Sequence, residues 1–116
     1  MTATKISAAA DATARKTLAK NLRDARANIQ SPKEITVFSS EKQKAYAETV
    51  RAKTIAKMSG WGGYRKRDRR ILITLAKGLA ARQTSADVIL GETFSQKIVA
   101  SVHDTKEPLL KQRKTR

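Results

Sequence analysis

Residues 61–82 read WGGYRKRDRRILITLAKGLAAR, and they combine five cations within six residues with the apolar pattern of a helix. The larger apolar residues of this stretch recur at the spacing of one helical face: Ile71, Leu72, Leu75 and Leu79. We therefore predict a helix from about Arg65 to Arg82. Within it, Gly78 lowers the helix propensity or lets a neighbouring segment approach closely.

The same periodicity predicts three further long helices, at about residues 4–29, 41–59 and 86–103. Ser39-Ser40 and Thr84-Ser85 precede the last two of these and are suitable N-caps. The apolar stripe of the first helix consists of Ala14, Leu18, Leu22, Ala25 and Ile29. The stripe of the second consists of Tyr46, Ala47, Val50, Thr54 and Met58. The stripe of the last consists of Leu90, Phe94, Ile98 and Val102.

Residues 31–38 interrupt this helical pattern. Ser31-Pro32-Lys33-Glu34 combines a capping box with a proline at the first helical position. It predicts a short turn of helix holding Ile35, Val37 and Phe38, although the β-branched residues also fit a short strand. Farther along, Gly60 is placed to end the second long helix in a left-handed conformation.

Together these segments predict an all-α fold, a small bundle of four main helices with one short extra helical turn. The chain has 116 residues, which suits one domain, and we assign residues 1–110 to it. The last six residues, 111–116, read KQRKTR and form a basic tail.

The composition narrows the class of partner. A net charge of +15 indicates nucleic acid, an anionic membrane or an acidic protein as the ligand. The chain has no cysteine and a single histidine, His103, so we predict no metal site and no cofactor. No run of about 18 apolar residues is present, and the amphipathic first helix lacks bulky aromatics on its apolar face. We expect no membrane partner and a cytoplasmic location.

Positive charge is concentrated between Arg51 and Arg82, where ten Lys/Arg residues accompany one acid, Asp68. Cations neutralise phosphates and release condensed counterions, and an aromatic ring can stack on an unpaired base. This stretch therefore predicts contact with a polyanion. The candidate nucleic-acid-binding residues are Arg51, Lys53, Lys57, Trp61, Tyr64, Arg65, Lys66, Arg67, Arg69, Arg70, Lys77 and Arg82.

Two of these assignments have alternatives. Trp61 is the only tryptophan of an aromatic-poor chain, so it is either a core anchor or a stacking platform for a base. Residues 71–94 could instead form a helix-turn-helix, but Thr84 stands where such readers need an apolar residue. The helix that would follow offers few side chains suited to base edges.

The ten acids are dispersed along the chain, so we predict no enzymatic activity.

A small, strongly basic helical chain of this kind resembles the small helical subunits of multi-protein CRISPR effector complexes. The resemblance lies in length, helical order and the basic helix start at 65–70. It implies a sequence-indifferent subunit of a ribonucleoprotein complex that binds the backbone of RNA or a single strand. Its partners would be RNA in preference to DNA, other protein subunits and copies of itself. The alternatives are a plasmid- or phage-encoded DNA-binding accessory protein and a ribosomal-type RNA-binding protein.

Overall fold

A computed structural model describes the backbone of residues 2–104 and the side chains of residues 12–103. Within residues 2–104, five helices follow one another: α1 Thr2–Gln30, α2 Glu41–Ala56, α3 Lys66–Arg82, α4 Ala86–Ile89 and α5 Phe94–Asp104. Four of them have seven or more residues, which confirms the predicted all-α bundle of four main helices. The predicted basic tail, 111–116, lies outside the described residues.

Helices α1 and α3 pack side by side and run in the same direction. Leu18 and Leu22 of α1 line one groove with Ile71 of α3, and farther along Ala25 contacts Gly78. A Cβ added to Gly78 would lie 2.6 Å from the Ala25 Cβ and 2.7 Å from its Cα. Gly78 therefore lets α1 approach α3 closely, as the sequence analysis allowed. No residue with a side chain fits so near the α1 backbone.

Helices α2 and α5 both pack against α3. Gln43, near the start of α2, bonds to Asp87 just beyond the C-terminal end of α3. His103, at the end of α5, lies against the Trp61 ring before the start of α3. The largest group of buried side chains fills the space between these helices: Ile35, Ala47, Met58, Trp61, Leu72, Ala76, Ala80, Ala86, Ile89, Phe94, Ile98 and Val102.

The predicted turn of helix at residues 35–38 is wrong, and the isolated β-bridge at Val37 is closer to the strand alternative. The backbone N–H groups of Thr36 and Val37 donate to the Thr84 carbonyl, and the Ala86 N–H donates to the Val37 carbonyl. The resulting bridge pairs Val37 with Ser85. It places Ile35, 1% exposed, in the core, so tertiary packing outweighs the local capping signal.

The predicted helix at 86–103 is divided into α4 and α5 by residues 90–93. Ile89 and Phe94 are both buried, yet five residues of continuous helix would place them about 140° apart. The break at Gly91, whose carbonyl accepts from the Phe94 N–H, turns both side chains inward. The short extra helix thus lies at α4 and not at 35–38.

Helix α2 begins as predicted and ends earlier than predicted. The Ser40 hydroxyl accepts from the Gln43 N–H at 3.1 Å, so Ser40 is the N-cap. The helix ends at Ala56, and the positive φ values come later, at Gly60 (134°) and Trp61 (58°). Tyr46 is 62% exposed, which corrects its predicted place in the apolar stripe.

Replacing Gly78 with alanine tests the α1–α3 contact. Alanine gains about 1 kcal/mol of helix propensity over glycine, but overpacking against the Ala25 backbone costs about 1–3 kcal/mol. We expect Gly78→Ala to lower the free energy of unfolding, measured by chemical denaturation with circular dichroism. Gly62→Ala is the control, because a Cβ there meets nothing within 4 Å. A Gly78→Ala variant as stable as the parent chain would contradict this packing.

Candidate nucleic-acid interface

The basic cluster at the start of α3 is solvent-facing. Arg65, Lys66, Arg67 and Arg70 are exposed, whereas Arg69 is half-buried, with its Nε buried and without a hydrogen-bond partner. In the described part of the chain the only ion pair joins Lys44 to Glu34, at 3.2 Å. The single acid of the cluster, Asp68, therefore pairs with none of the neighbouring cations, and no ion pair among the described side chains offsets their charge.

The position of the cluster on α3 is unfavourable for the isolated protein. Cations near a helix N-terminus oppose the helix dipole, and like charges on adjacent turns repel. The N-cap residue, Arg65, forms no side-chain capping hydrogen bond, so its side chain leaves the first-turn N–H groups uncapped. A bound phosphate would relieve both costs, because helix N-termini bind anions through these N–H groups.

A groove joins this cluster to α1. Arg15, Leu18, Ala19 and Leu22 line one side of it, and Arg65, Arg67, Asp68 and Ile71 line the other. A second groove on α1 shares Ala19 and Leu22 with the first and continues along the helix. It is lined by Lys16, Ala19, Lys20, Leu22, Arg23 and Arg26. The basic surface of this protein therefore combines the α3 cluster with one flank of α1.

The chain matches no protein-family model, no curated protein and no solved structure. The described segment contains no helix long and apolar enough to cross a membrane. The same residues contain no group of three His, Cys, Asp or Glu side chains placed to hold a metal ion. A function for this chain is therefore inferred from its own charge and geometry.

Sequence reasoning missed the contribution of α1. Arg15, Lys16, Lys20, Arg23 and Arg26 were visible only as cations outside the apolar stripe. On a helical wheel, with 100° per residue, Arg15, Arg23 and Arg26 fall on the same side of the Leu18–Ala25 stripe. Which helix packs beside that flank cannot be read from the wheel, because it depends on the Ala25–Gly78 contact.

Arg51 is a correction to the predicted site. It is 6% exposed, and its Nη1 donates to the Gln83 carbonyl at 2.7 Å. Desolvation by burial lowers the pKa of the Arg51 guanidinium, and the carboxylate of Glu48 partly opposes that shift. Gln83 is the C-cap of α3, so Arg51 joins α2 to the α3–α4 turn and is not available to a phosphate.

Trp61 belongs to the core. It is 4% exposed, which corrects its inclusion among the nucleic-acid contacts and supports the core-anchor alternative. Its positive φ is unfavourable for a bulky residue, so burial of the large ring must outweigh the strain. Tyr64 is half-buried, with its ring centroid 6.0 Å from that of His103, so only part of the ring is open to a ligand.

The remaining candidate cations lie at the end of α2 and farther along α3. Lys53 and Lys57 are exposed at the end of α2. Lys77 is half-buried, and Arg82 lies twelve residues beyond Arg70, about 18 Å along α3. Arg82 lines a cleft of about 240 Å³ with Asn21, Asp24 and Asn28. The structure therefore does not bring Lys77 and Arg82 into the cluster at the start of α3.

The structural role of Arg51 predicts an effect on stability. Arg51→Met removes the donor to the Gln83 carbonyl and should lower the free energy of unfolding by about 1–3 kcal/mol, measured by urea denaturation. Lys53→Met, at an exposed position of the same helix, should change it by less than about 0.5 kcal/mol. Equal effects of the two substitutions would show that the Arg51–Gln83 contact contributes nothing to stability.

Proposed function

We propose that this protein is a sequence-indifferent nucleic-acid-binding protein that contacts the phosphate backbone through the start of α3. The observation that carries the proposal is the set of exposed cations, Arg65, Lys66, Arg67 and Arg70, with no ion-pair partner among the described side chains. Self-repulsion of these charges is relieved when phosphates lie across them. No catalytic role is included in the proposal.

The lack of base discrimination follows from the side chains available. The exposed residues at the start of α3 are long cations, which reach phosphates without reading a base sequence. Trp61 is buried, so stacking by that ring does not contribute. Four phosphates engaged by these four cations imply that log affinity falls with log salt concentration at a slope of roughly −3 to −4.

A helix-turn-helix protein is the second candidate, and the structure offers it little support. The helix that would enter the major groove after residues 83–85 is α4, with only four residues. Ala86 and Ile89 of α4 are buried, and its exposed residues are Asp87 and Val88. A carboxylate at that position would repel DNA phosphates, so backbone binding through α3 is the better-supported function.

A more specific form of the proposal assigns the protein to a ribonucleoprotein assembly, in the manner of a small CRISPR effector subunit. It then binds RNA in preference to DNA and contacts other protein subunits and further copies of itself. Purification from its native operon context, with sequencing of the bound nucleic acid, tests this assignment. A defined RNA with several larger proteins supports the assembly, whereas bound DNA with a free dimer supports the accessory DNA-binding alternative.

Charge reversal in the α3 cluster tests the proposed function itself. We expect Arg67→Glu with Arg70→Glu to lower affinity for nucleic acid at least tenfold at low salt. The magnitude of the salt slope should fall by about 1–2, because two phosphate contacts are lost. Both quantities are measured by fluorescence anisotropy with a labelled oligonucleotide over a range of salt concentrations.

The matched control reverses two exposed cations away from the cluster, Lys42 on α2 and Lys97 on α5. Lys42→Glu with Lys97→Glu changes the net charge by the same amount and should lower affinity much less. Equal losses in the two double variants would show that net charge alone governs binding. Unchanged binding by the Arg67/Arg70 variant would remove the cluster from the interface.

A further inference from the structure

We infer that the nucleic acid is single-stranded and that it lies in the groove between α1 and the start of α3, continuing along the basic flank of α1. This inference rests on the proposed function and deepens it. It names the form of nucleic acid, and it adds Arg15, Lys16, Arg23 and Arg26 of α1 to the contact surface.

The groove has charged rims and an apolar floor. Arg15 stands on one side and Arg65 and Arg67 stand on the other. Between them lie the side chains of Leu18, Ala19, Leu22 and Ile71, and Asp68 is the single carboxylate among the lining residues. Leu22 and Ile71 are only half-buried and Ala19 is exposed, so part of this floor is in contact with water. A ligand that covers the floor must therefore present apolar or aromatic surface together with negative charge.

A single strand has that combination of properties and a double helix does not. The bases of a single strand are unstacked and free to lie on an apolar surface, while its phosphates face the rims. In a duplex the base faces are stacked inside, and only the backbone and groove edges are accessible. Packed helices have axes about 8–10 Å apart, so the groove between α1 and α3 is too narrow to admit a duplex.

Arginine is well suited to the rims of such a groove. Its planar guanidinium binds phosphate in a bidentate manner and also stacks on aromatic faces, which lysine does not do. Arg15, Arg65, Arg67, Arg23 and Arg26 supply five of these groups around the two grooves. The described lining residues include no aromatic side chain, so guanidinium groups and the apolar floor provide the contacts to bases.

The length and direction of the path follow from α1. Arg15 and Arg26 are separated by eleven residues, about 16 Å along the helix axis. The two grooves share Ala19 and Leu22, so the path from the α3 cluster to Arg26 is continuous. Ala19 lies near the centre of this path and is exposed. A substitution of Ala19 should therefore change the affinity for the strand without disturbing the fold.

The opposite flank of α1 is unsuited to a polyanion. Asn21, Asp24 and Asn28 lie there and line the cleft with Leu75 and Leu79. Their helical-wheel positions are on the other side of Ala25 from those of Arg15, Leu22 and Arg26. The cleft on this flank has one cation, Arg82, beside Asp24, whereas three arginines accompany Asp68 in the groove on the other flank. A strand is therefore directed to the side that adjoins Arg65 and Arg67.

The test compares Ala19→Glu with Ala45→Glu. Both change one exposed helical alanine to glutamate, but Ala45 lies on α2, outside the grooves. Anisotropy is measured at one fixed low salt concentration with a 12-nucleotide oligo(dT), a 12-nucleotide oligo(U) and a 12-base-pair duplex. Circular dichroism confirms that both variants are folded.

We expect the parent chain to bind both single strands at least tenfold more tightly than the duplex. Ala19→Glu should lower single-strand affinity at least tenfold, and Ala45→Glu should lower it less than threefold. Equal affinity for the duplex, or equal effects of the two substitutions, overturns the inference. Displacement of the strand by polyglutamate of the same charge also overturns it, because an acidic peptide would then be an equivalent ligand.

These outcomes separate the inference from the proposed function. If the Arg67/Arg70 charge reversal abolishes binding and Ala19→Glu does not weaken it, the α3 cluster binds nucleic acid and the groove path is wrong. If none of the three oligonucleotides binds the parent chain, the proposed function fails and the inference fails with it.

Discussion

Helices α1 and α3 approach closely where Ala25 meets Gly78, and the position of every basic group on this face depends on that contact. It sets the two helices parallel, so the middle of α1 lies beside the start of α3. Leu18 and Leu22 then adjoin Ile71 across a groove, with Arg15 facing Arg65 and Arg67. A bulkier residue at Gly78 would separate the helices and disperse this surface.

The cations at the start of α3 repel one another, and no ion pair with a described carboxylate offsets that repulsion. Two unit charges 4 Å apart repel by about 1 kcal/mol in bulk water and by about 4 kcal/mol near a protein surface. The start of α3 holds five cations within six residues, and Asp68 makes no ion pair with any of them in the described region. A polyanion converts this repulsion into binding free energy, and for that reason we place the function here.

Arg51, in contrast, has a structural role in this protein. Its guanidinium donates to a main-chain carbonyl at a helix end, and desolvation by burial lowers its pKa. The cations at 65–67 and Arg70 are exposed and have no such carbonyl contact. Burial and hydrogen-bond partner thus distinguish the structural arginine from those proposed to bind a ligand, and neither property is visible in the sequence.

Sequence periodicity predicted the long helices because their apolar residues are local signals. Phe94, Ile98 and Val102 are buried as their spacing predicted. The errors occur where distant residues decide the structure. Residues 35–38 are not helical because the segment hydrogen-bonds to residues 84–86. The 86–103 helix breaks so that Ile89 and Phe94 both reach the core.

The candidate site could be predicted in part. The basic stretch at 65–70 is evident from composition, whereas the α1 flank becomes part of the surface only through a long-range helix contact. Arg51 and Trp61 were misassigned because residue type does not reveal burial. An arginine beside a helix end and a tryptophan beside glycines suit either a core or a ligand surface.

NMR titration of the ¹⁵N-labelled chain with an unlabelled single strand tests the central claim most directly. The account predicts that the largest amide shift changes occur in residues 15–26 and 65–70, with little change in residues 41–48 and 94–100. Changes concentrated in α2 or α5, with residues 65–70 unaffected, would contradict it.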